Sequence, residues 1–480
     1  MVRARGAARF ARHRRGAYVD VRESVRRAAL ALVGGLAETT ERGARAGSAR
    51  PAGGGLSLQT FAAFELRNFR LLWLNNFSYA LVQGIQRFAF VWLAADLSEK
   101  NLVLGLVTFG LGIPVFFLTL PAGVLSDRWD RRYLLFASQL WVLATSFLTA
   151  VLIWTGAMGV GMAIVMAILV GVGVAVGQPV RQALVPAVVP QHRLMNAITL
   201  NSLGQNVSQI VGPLLGGAAI DHWGNGGGFA VQGARMGVGL VFLVPLQIPV
   251  AQRAAQMGGR LFREMLGEIG EGFRFVRGAV DIRTLFLLLL ASSLVIMGPW
   301  QTLLPRVAEE QLGAQAFRAG VLFGAMGVGT VISSLILASI PRLENAGGWF
   351  TTTLIIGGSL AVGIGLSHDY LLTVLFMFLS GLNAGFFINL NLTLIQAHTP
   401  SDVMGRVMAI YTLVLMGGSP FGGLLAGGGA QLIGAGEWFA LCGAAVAAVA
   451  GVFLVTQPSL RRMPSHPETP VAGPADAGSG

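Results

Sequence analysis

The chain is short of almost everything a soluble enzyme of its size would carry. Its single cysteine, Cys442, sits in an apolar stretch, so neither a disulfide framework nor a cysteine-built metal site can form within one chain. The six histidines (His13, His192, His222, His368, His398 and His466) are scattered and never paired at ligand spacing. No HExxH, Walker A loop or GxSxG occurs, so the usual metalloprotease, nucleotide-hydrolase and serine-hydrolase constellations are missing. We therefore expect no cofactor, no metal and no enzyme chemistry. Charge is scarce too: Asp, Glu, Lys and Arg make up 12% against 54% hydrophobic residues, and Lys100 is the sole lysine. A soluble fold of 480 residues cannot hide that much apolar surface behind so few charges, which makes the bilayer the solvent.

What the chain does have is glycine, 66 residues of it, and arginine, which supplies nearly all of a formal charge of +12. Small residues let helices approach where no hydrophobic force drives them together. In a soluble protein such a charge would suggest nucleic acid; here the arginines sit in a tail and in alternate loops, a topology signal with no nucleic-acid partner implied. Residues 1–63 read as a disordered, arginine-rich cytoplasmic tail that touches anionic lipid, or alternatively as a cleaved targeting segment around the short apolar run from Ala28 to Ala37. Broken by Gly34 and Gly35, that run is too short to span a membrane.

Beyond Phe64, apolar runs of spanning length recur near 71–95, 102–123, 133–154, 158–180, 199–220 and 229–250, then near 284–305, 317–340, 349–367, 370–396, 406–432 and 437–456. The predicted fold is all-α: twelve transmembrane helices in two pseudo-symmetric halves, 64–250 and 284–456. A charged, amphipathic cytoplasmic linker, 251–283, joins them, and 457–480 form a second cytoplasmic tail. An internal repeat supports the duplication. Pro190-Gln191-His192-Arg193 leads to Gly212-Pro213-Leu214-Leu215-Gly216-Gly217, and Pro400-Ser401-Asp402 with Gly405-Arg406 leads to Ser419-Pro420-Phe421-Gly422-Gly423. Loops on the N-terminal side carry Arg128, Arg131, Arg132, Arg193, Arg342, Arg406, Arg461 and Arg462; those on the other side carry Asp96, Glu99, Asp221, Glu309, Glu310, Asp369 and Glu437, with only Lys100, Arg306 and Arg318 against them. The positive-inside rule then puts both termini in the cytoplasm of a multi-pass inner-membrane protein, as an even span count also requires.

Residues Gly123-Val124-Leu125-Ser126-Asp127-Arg128-Trp129-Asp130-Arg131-Arg132 match G-x-L-x-D-R-x-x-R-R at Gly123, Leu125, Asp127, Arg128, Arg131 and Arg132. In this the chain resembles the major facilitator superfamily, whose signature lies in the loop after the second span. The resemblance implies a cytoplasmic latch between the halves, built on Asp127 and the arginines, to which Arg181 after the fourth span is also assigned. The fifth-span run Gly212-Pro213-x-x-Gly216-Gly217, echoed by Pro420 and Gly422, resembles the motif typical of exporters in that superfamily; plain helix packing explains the same residues. Gln86-Arg87-Phe88-Ala89, Gln178-Pro179-Val180-Arg181-Gln182 and Met404-Gly405-Arg406-Val407-Met408 are similar to the bacterial branch that includes the enterobactin exporter and macrolide-efflux-like proteins. That likeness implies efflux of a small amphipathic compound, drug- or siderophore-like; our own expectation adds a monomer working through alternating access. The alternatives are a non-transporting scaffold or sensor on the same fold, and a lipid- or lysolipid-flipping protein.

Polar groups inside spans are costly and mark pathways. On that ground Arg87, Gln83, Asn201, Gln205, Arg235, Trp300, Gln301, Asn383 and Asn389 are the candidate substrate-cavity residues, the amides serving otherwise to join helices. A mid-span arginine with no acid at its depth suits an anionic substrate. The acid that many members carry in the first span is missing near Gln83-Gly84, and no Asp or Glu falls mid-span. A proton as coupling ion is left with Glu309, Glu310 and Asp221 near the outer ends. The topology is checked by reporter fusions after Gly258 and after Asp369, which should report the cytoplasm and the opposite side respectively; two cytoplasmic readings would refute the span count.

Overall fold

The computed structural model describes residues 63–246, 270–340 and 343–465. The tails 1–62 and 466–480, and most of the linker, 247–269, lie outside the described residues, and with them the readings made there. Among the described residues no strand occurs. Hydrocarbon offers a backbone N–H or C=O no other partner, so a chain immersed in it must close its hydrogen bonds within helices. In order these are α1 (Arg67–Leu97), α2 (Asn101–Arg128), α3 (Arg131–Trp154), α4 (Val160–Val188) and α5 (Leu194–Leu243), then α6 (270–278), α7 (Val280–Thr302) and α8 (Leu304–Glu310). They continue as α9 (Ala316–Ala338), α10 (Ala346–Leu366), α11 (Tyr370–Ala397), α12 (Met404–Ile433), α13 (Ala435–Thr456) and the short α14 (Pro458–Arg461).

Nine of the described helices are long and apolar enough to cross a membrane. Two further helices reach spanning length by another route. The 31 residues of α1 are interrupted by arginines and amides. The 50 residues of α5 are two arms meeting at Gly224, whose φ of 69° only glycine adopts without strain. Those arms correspond to the runs expected at 199–220 and 229–250. The surface suits lipid: Leu432, Val455 and Leu371 are 81%, 79% and 75% exposed, an aliphatic belt that water would penalise.

The helices meet through small residues. Within the first half, α1 crosses α5 at Gly84 and Gly212, so closely that a Cβ on either would press on the other's backbone. Within the second half, α7 crosses α12 at Gly298 and Gly422 in the same way. Between the halves there are two seams. In one, Gly105 and Gly112 of α2 press on Gly427 and Pro420 of α12; in the other, Gly217 and Pro213 of α5 press on Ala316 and Gly320 of α9. The two seams exchange under an offset of about 210 residues, the offset of the sequence repeat. One apolar cluster runs across both halves at the end where α1, α2, α8 and α12–α13 meet. Two further clusters stay each within one half, at the other end. The halves are thus fused at one end of the bundle and separate toward the other.

Two details differ from the sequence reading. The Gly123–Arg132 segment is not a loop: α2 runs on to Arg128 because Leu125 packs against its own half, and only Trp129 and Asp130 break the helix before the Asp130 carboxylate accepts from the Arg132 N–H at 2.8 Å and caps α3. The second half begins earlier than expected. α6 docks through Gly272 on Arg406 and Ile410, Glu271 pairs with Arg406 at 2.8 Å, and α7 starts at Val280.

The Gly298–Gly422 crossing predicts that Gly298→Leu lowers the detergent melting temperature by several degrees, since overpacking costs about 1–3 kcal/mol. Gly428→Leu, where a Cβ meets nothing within 4 Å, serves as the control and should not. Equal melting of the two variants would contradict the crossing.

Candidate substrate cavity

Between the halves lies a cavity of about 1100 Å³. It reaches from mid-bundle (Arg87, Phe88, Trp300) to the helix ends at Pro186 and Leu194, toward the end where the halves stand apart. α1, α4 and the first arm of α5 form one wall; α7, α9, α10 and α11 form the other.

On α1, Asn76, Tyr79, Gln83 and Arg87 recur every three or four residues and line the cavity as one stripe. Along it, Arg87 Nη2 donates to Gln83 Oε1 at 3.2 Å, and Gln83 Nε2 donates to the Tyr79 hydroxyl at 2.8 Å. From α4, the guanidinium of Arg181 lies 3.5 Å above the Tyr79 ring and its Nη1 donates to both Asn75 Oδ1 and Asn76 Oδ1 at 3.0 Å. Asn75, wholly buried, also exchanges 3.0 Å bonds with Gln139 of α3 and donates to the Gly239 carbonyl at 2.8 Å. Asn76 Nδ2 donates to Asn201 Oδ1 at 2.9 Å. One polar network therefore ties α1, α3, α4 and both arms of α5 together behind the cavity wall. The second wall is more apolar, with Trp300, Phe323, Met326 and Phe387 beside Asn383 and Asn389; Asn389 donates to the Gly385 carbonyl at 2.8 Å. Next to it, α7 loosens into a π-helical turn at Ser293–Met297 just before Gly298, the kind of defect that often accompanies function.

Eight of the nine expected cavity residues line this space: Arg87, Gln83, Asn201, Gln205, Trp300, Gln301, Asn383 and Asn389. Arg235 does not. It lies half-buried on the second arm of α5, which packs on α3 through Gln232 and Gly233, and its Nε is buried without a hydrogen-bond partner. Arg181 needs the opposite correction. It belongs to the cavity wall, and its bonds go to α1 of its own half, because α4 continues to Val188 where the sequence suggested an end near 180. Of the latch residues, the side chains of Asp127 and Arg128 lie outside the described ones; Arg132 donates to the Val244 carbonyl of the same half. Gly212 and Gly216 face α1, whereas Pro213 and Gly217 meet α9, so the exporter-like run joins both kinds of contact. Pro420 and Gly422 repeat that division against α2 and α7. Asn76, Tyr79 and Gln178 were missed, although the spacing of Asn76, Tyr79, Gln83 and Arg87 on one face was readable in advance.

Residues 58–475 match a family model described as transmembrane secretion effector. Over 388 residues the chain is 21% identical to macrolide efflux protein A of Streptococcus pyogenes, covering 80% of this chain and 94% of that protein. It is 23% identical over 285 residues to the enterobactin exporter of Citrobacter koseri, covering 59% and 66%. The solved nucleoside transporter NupG shares the fold at a TM-score of 0.63 with 13% identity, over 81% of this chain and 98% of that one.

The network behind the wall predicts that Asn75→Leu destabilises the protein by about 1–3 kcal/mol, the cost of stranding buried donors and acceptors. Gln205→Leu, on the exposed cavity surface, should leave thermal unfolding nearly unchanged. Equal losses would remove the network from the stability of the wall.

Proposed function

This chain belongs to the transmembrane secretion effector family of the major facilitator superfamily, and from that premise we propose that it exports a small amphipathic compound from the cell by alternating access. It is a multi-pass membrane transporter with an all-helical fold. The observation that carries the proposal is the cavity between two half-molecules that are sealed together at one end and apart at the other. In the reading we adopt, α1 and the two arms of α5 complete twelve spans, both termini face the cytoplasm of an inner-membrane monomer, and the sealed end is the outer one. The exporter-like run in α5 and the efflux proteins among its relatives support outward transport.

The seal is polar as well as close-packed. Asp221 Oδ1 and Oδ2 accept from the Ala316 and Phe317 N–H groups at 3.0 Å, so an acid of the first half caps a helix of the second. Arg306, 5% exposed, donates to the Ser98 carbonyl at 2.6 Å and to Asn101 Oδ1 at 3.3 Å, and pairs with Glu309 and Glu310 at 3.5 and 3.3 Å. Asn101 in turn donates to the Ala430 carbonyl at 3.1 Å. Burial raises the pKa of the Glu310 carboxyl, against the pull of Arg306 and with help from Glu309 and Glu437. Its neutral form, which releases Arg306, is therefore reached at higher pH than for an ordinary glutamate. That makes Glu310 the residue to which we assign a coupling proton.

The test needs no known substrate. In a Cys442→Ala background, Gln205→Cys should react with a membrane-impermeant maleimide from either face. Adding Asn101→Cys and Ala430→Cys and oxidising that pair should abolish reaction from outside while preserving it from inside. Outside labelling that survives complete cross-linking would sink alternating access.

A further inference from the structure

We infer that the α1–α4 wall of the cavity is an oxyanion site, built on Arg181 and Arg87 around the ring of Tyr79, and that the transported compound carries a carboxylate-, sulfonate- or phosphate-like group held there. The inference rests on the transport reading above and adds the substrate's chemical class.

Arg181 is the central observation. It lines the cavity yet is only 6% exposed, and among the described residues the cavity wall holds no Asp or Glu to neutralise it. Its Nη1 is committed to two amide oxygens and one face is covered by Tyr79. Its Nε and Nη2 are buried with no hydrogen-bond partner. Those two nitrogens are neighbours on one edge of the guanidinium; once the side chain turns that edge from its packing into the cavity, its parallel N–H groups can grip both oxygens of one oxyanion. A buried cation without a counter-ion is expensive, so a ligand that brings the opposite charge is favoured there. Arg87 adds a second charge two turns beyond Tyr79 on the α1 stripe, exposed to the cavity and steadied by Gln83. The two arginines face a space without acids, which concentrates anions there. The opposite wall, with Trp300, Phe323 and Met326, suits an apolar body. The substrate is thus oriented, charged end toward the first half and apolar end toward the second.

The experiment compares three probes of one shape on the purified full chain: 2-naphthoate, 2-naphthamide and 2-naphthylmethylammonium. Naphthoate should bind about tenfold or more tighter than the amide, since hydrogen bonds to a charged partner are the stronger ones, and the cation should bind most weakly. In Arg181→Gln the acid-to-amide ratio should fall toward one. In Arg87→Gln, which leaves every bond of Arg181 in place and keeps the test available if the first variant does not fold, the ratio should fall severalfold. A ratio near one in the wild type, an unchanged ratio in both variants, or no naphthoate binding at all overturns the oxyanion site. If maleimide labelling from both faces persists alongside such a result, the transport reading survives it; loss of that labelling counts against the transport reading instead.

Discussion

Lipid tails solvate a leucine as well as a neighbouring helix does, so the helices of this chain are held by how closely their backbones approach and by the polar bonds between them. That constraint explains where glycine sits. Gly84 against Gly212 and Gly298 against Gly422 set the depth at which the first and fifth rods of each half cross. Gly105, Gly112, Gly217 and Gly320 set the depth at which the halves meet. A methyl group at the first set of points would push apart rods of one half; at the second it would press the halves apart at their seams.

The polar bonds are distributed by a related logic. Within the first half they form a closed network from Gln139 through Asn75 and Asn76 to Asn201, with every link side chain to side chain or to a helix carbonyl. Across the seal bonds of those kinds recur, such as Arg306 to Asn101 and Asn101 to the Ala430 carbonyl, beside others that end on helix termini. Arg306 reaches a carbonyl at Ser98, and Asp221 reaches the first N–H groups of α9, groups that a helix end leaves without an internal partner. The first network would be costly to break in any state. The second joins groups that water can take over once that end opens, which is what the proposed alternating access requires.

How far this was legible in the sequence follows from which signals are local. Span positions, the duplication and the polar stripes depend on composition and on the helical period, and the lining role of Arg87, Gln83, Asn201 and Gln205 followed from them. Boundaries were not local in that sense. α4 runs eight residues past its expected end because Leu184 and Val185 pack against α1 and α5 rather than leaving the bundle, and that extension turned Arg181 from a loop residue into a wall residue. Arg235 differs in the opposite sense: its place within a span suggests a cavity-facing arginine, but the second arm of α5 turns its inward face to α1 and α3. Periodicity places a residue on a helix face; only the neighbours of that helix decide what the face sees.

The π-helical turn in α7 shows how the two kinds of contact meet. Gly298 must lie hard against Gly422, while Ser292, Ile296, Met297 and Trp300 must face the cavity. A regular helix fixes the angle between those two directions at 100° per residue, and a single wide turn at Ser293–Met297 shifts it. The same turn lets Ser293 Oγ donate toward the Val414 and Leu415 carbonyls of α12 at 3.3 Å, anchoring the defect to the rod it crosses. α1, the counterpart of α7 in the first half, has no such turn and carries the charged stripe instead. The two halves therefore share one crossing geometry but present unlike walls, one regular and cationic, the other distorted and largely apolar, and it is on this asymmetry that the proposed orientation of a substrate rests.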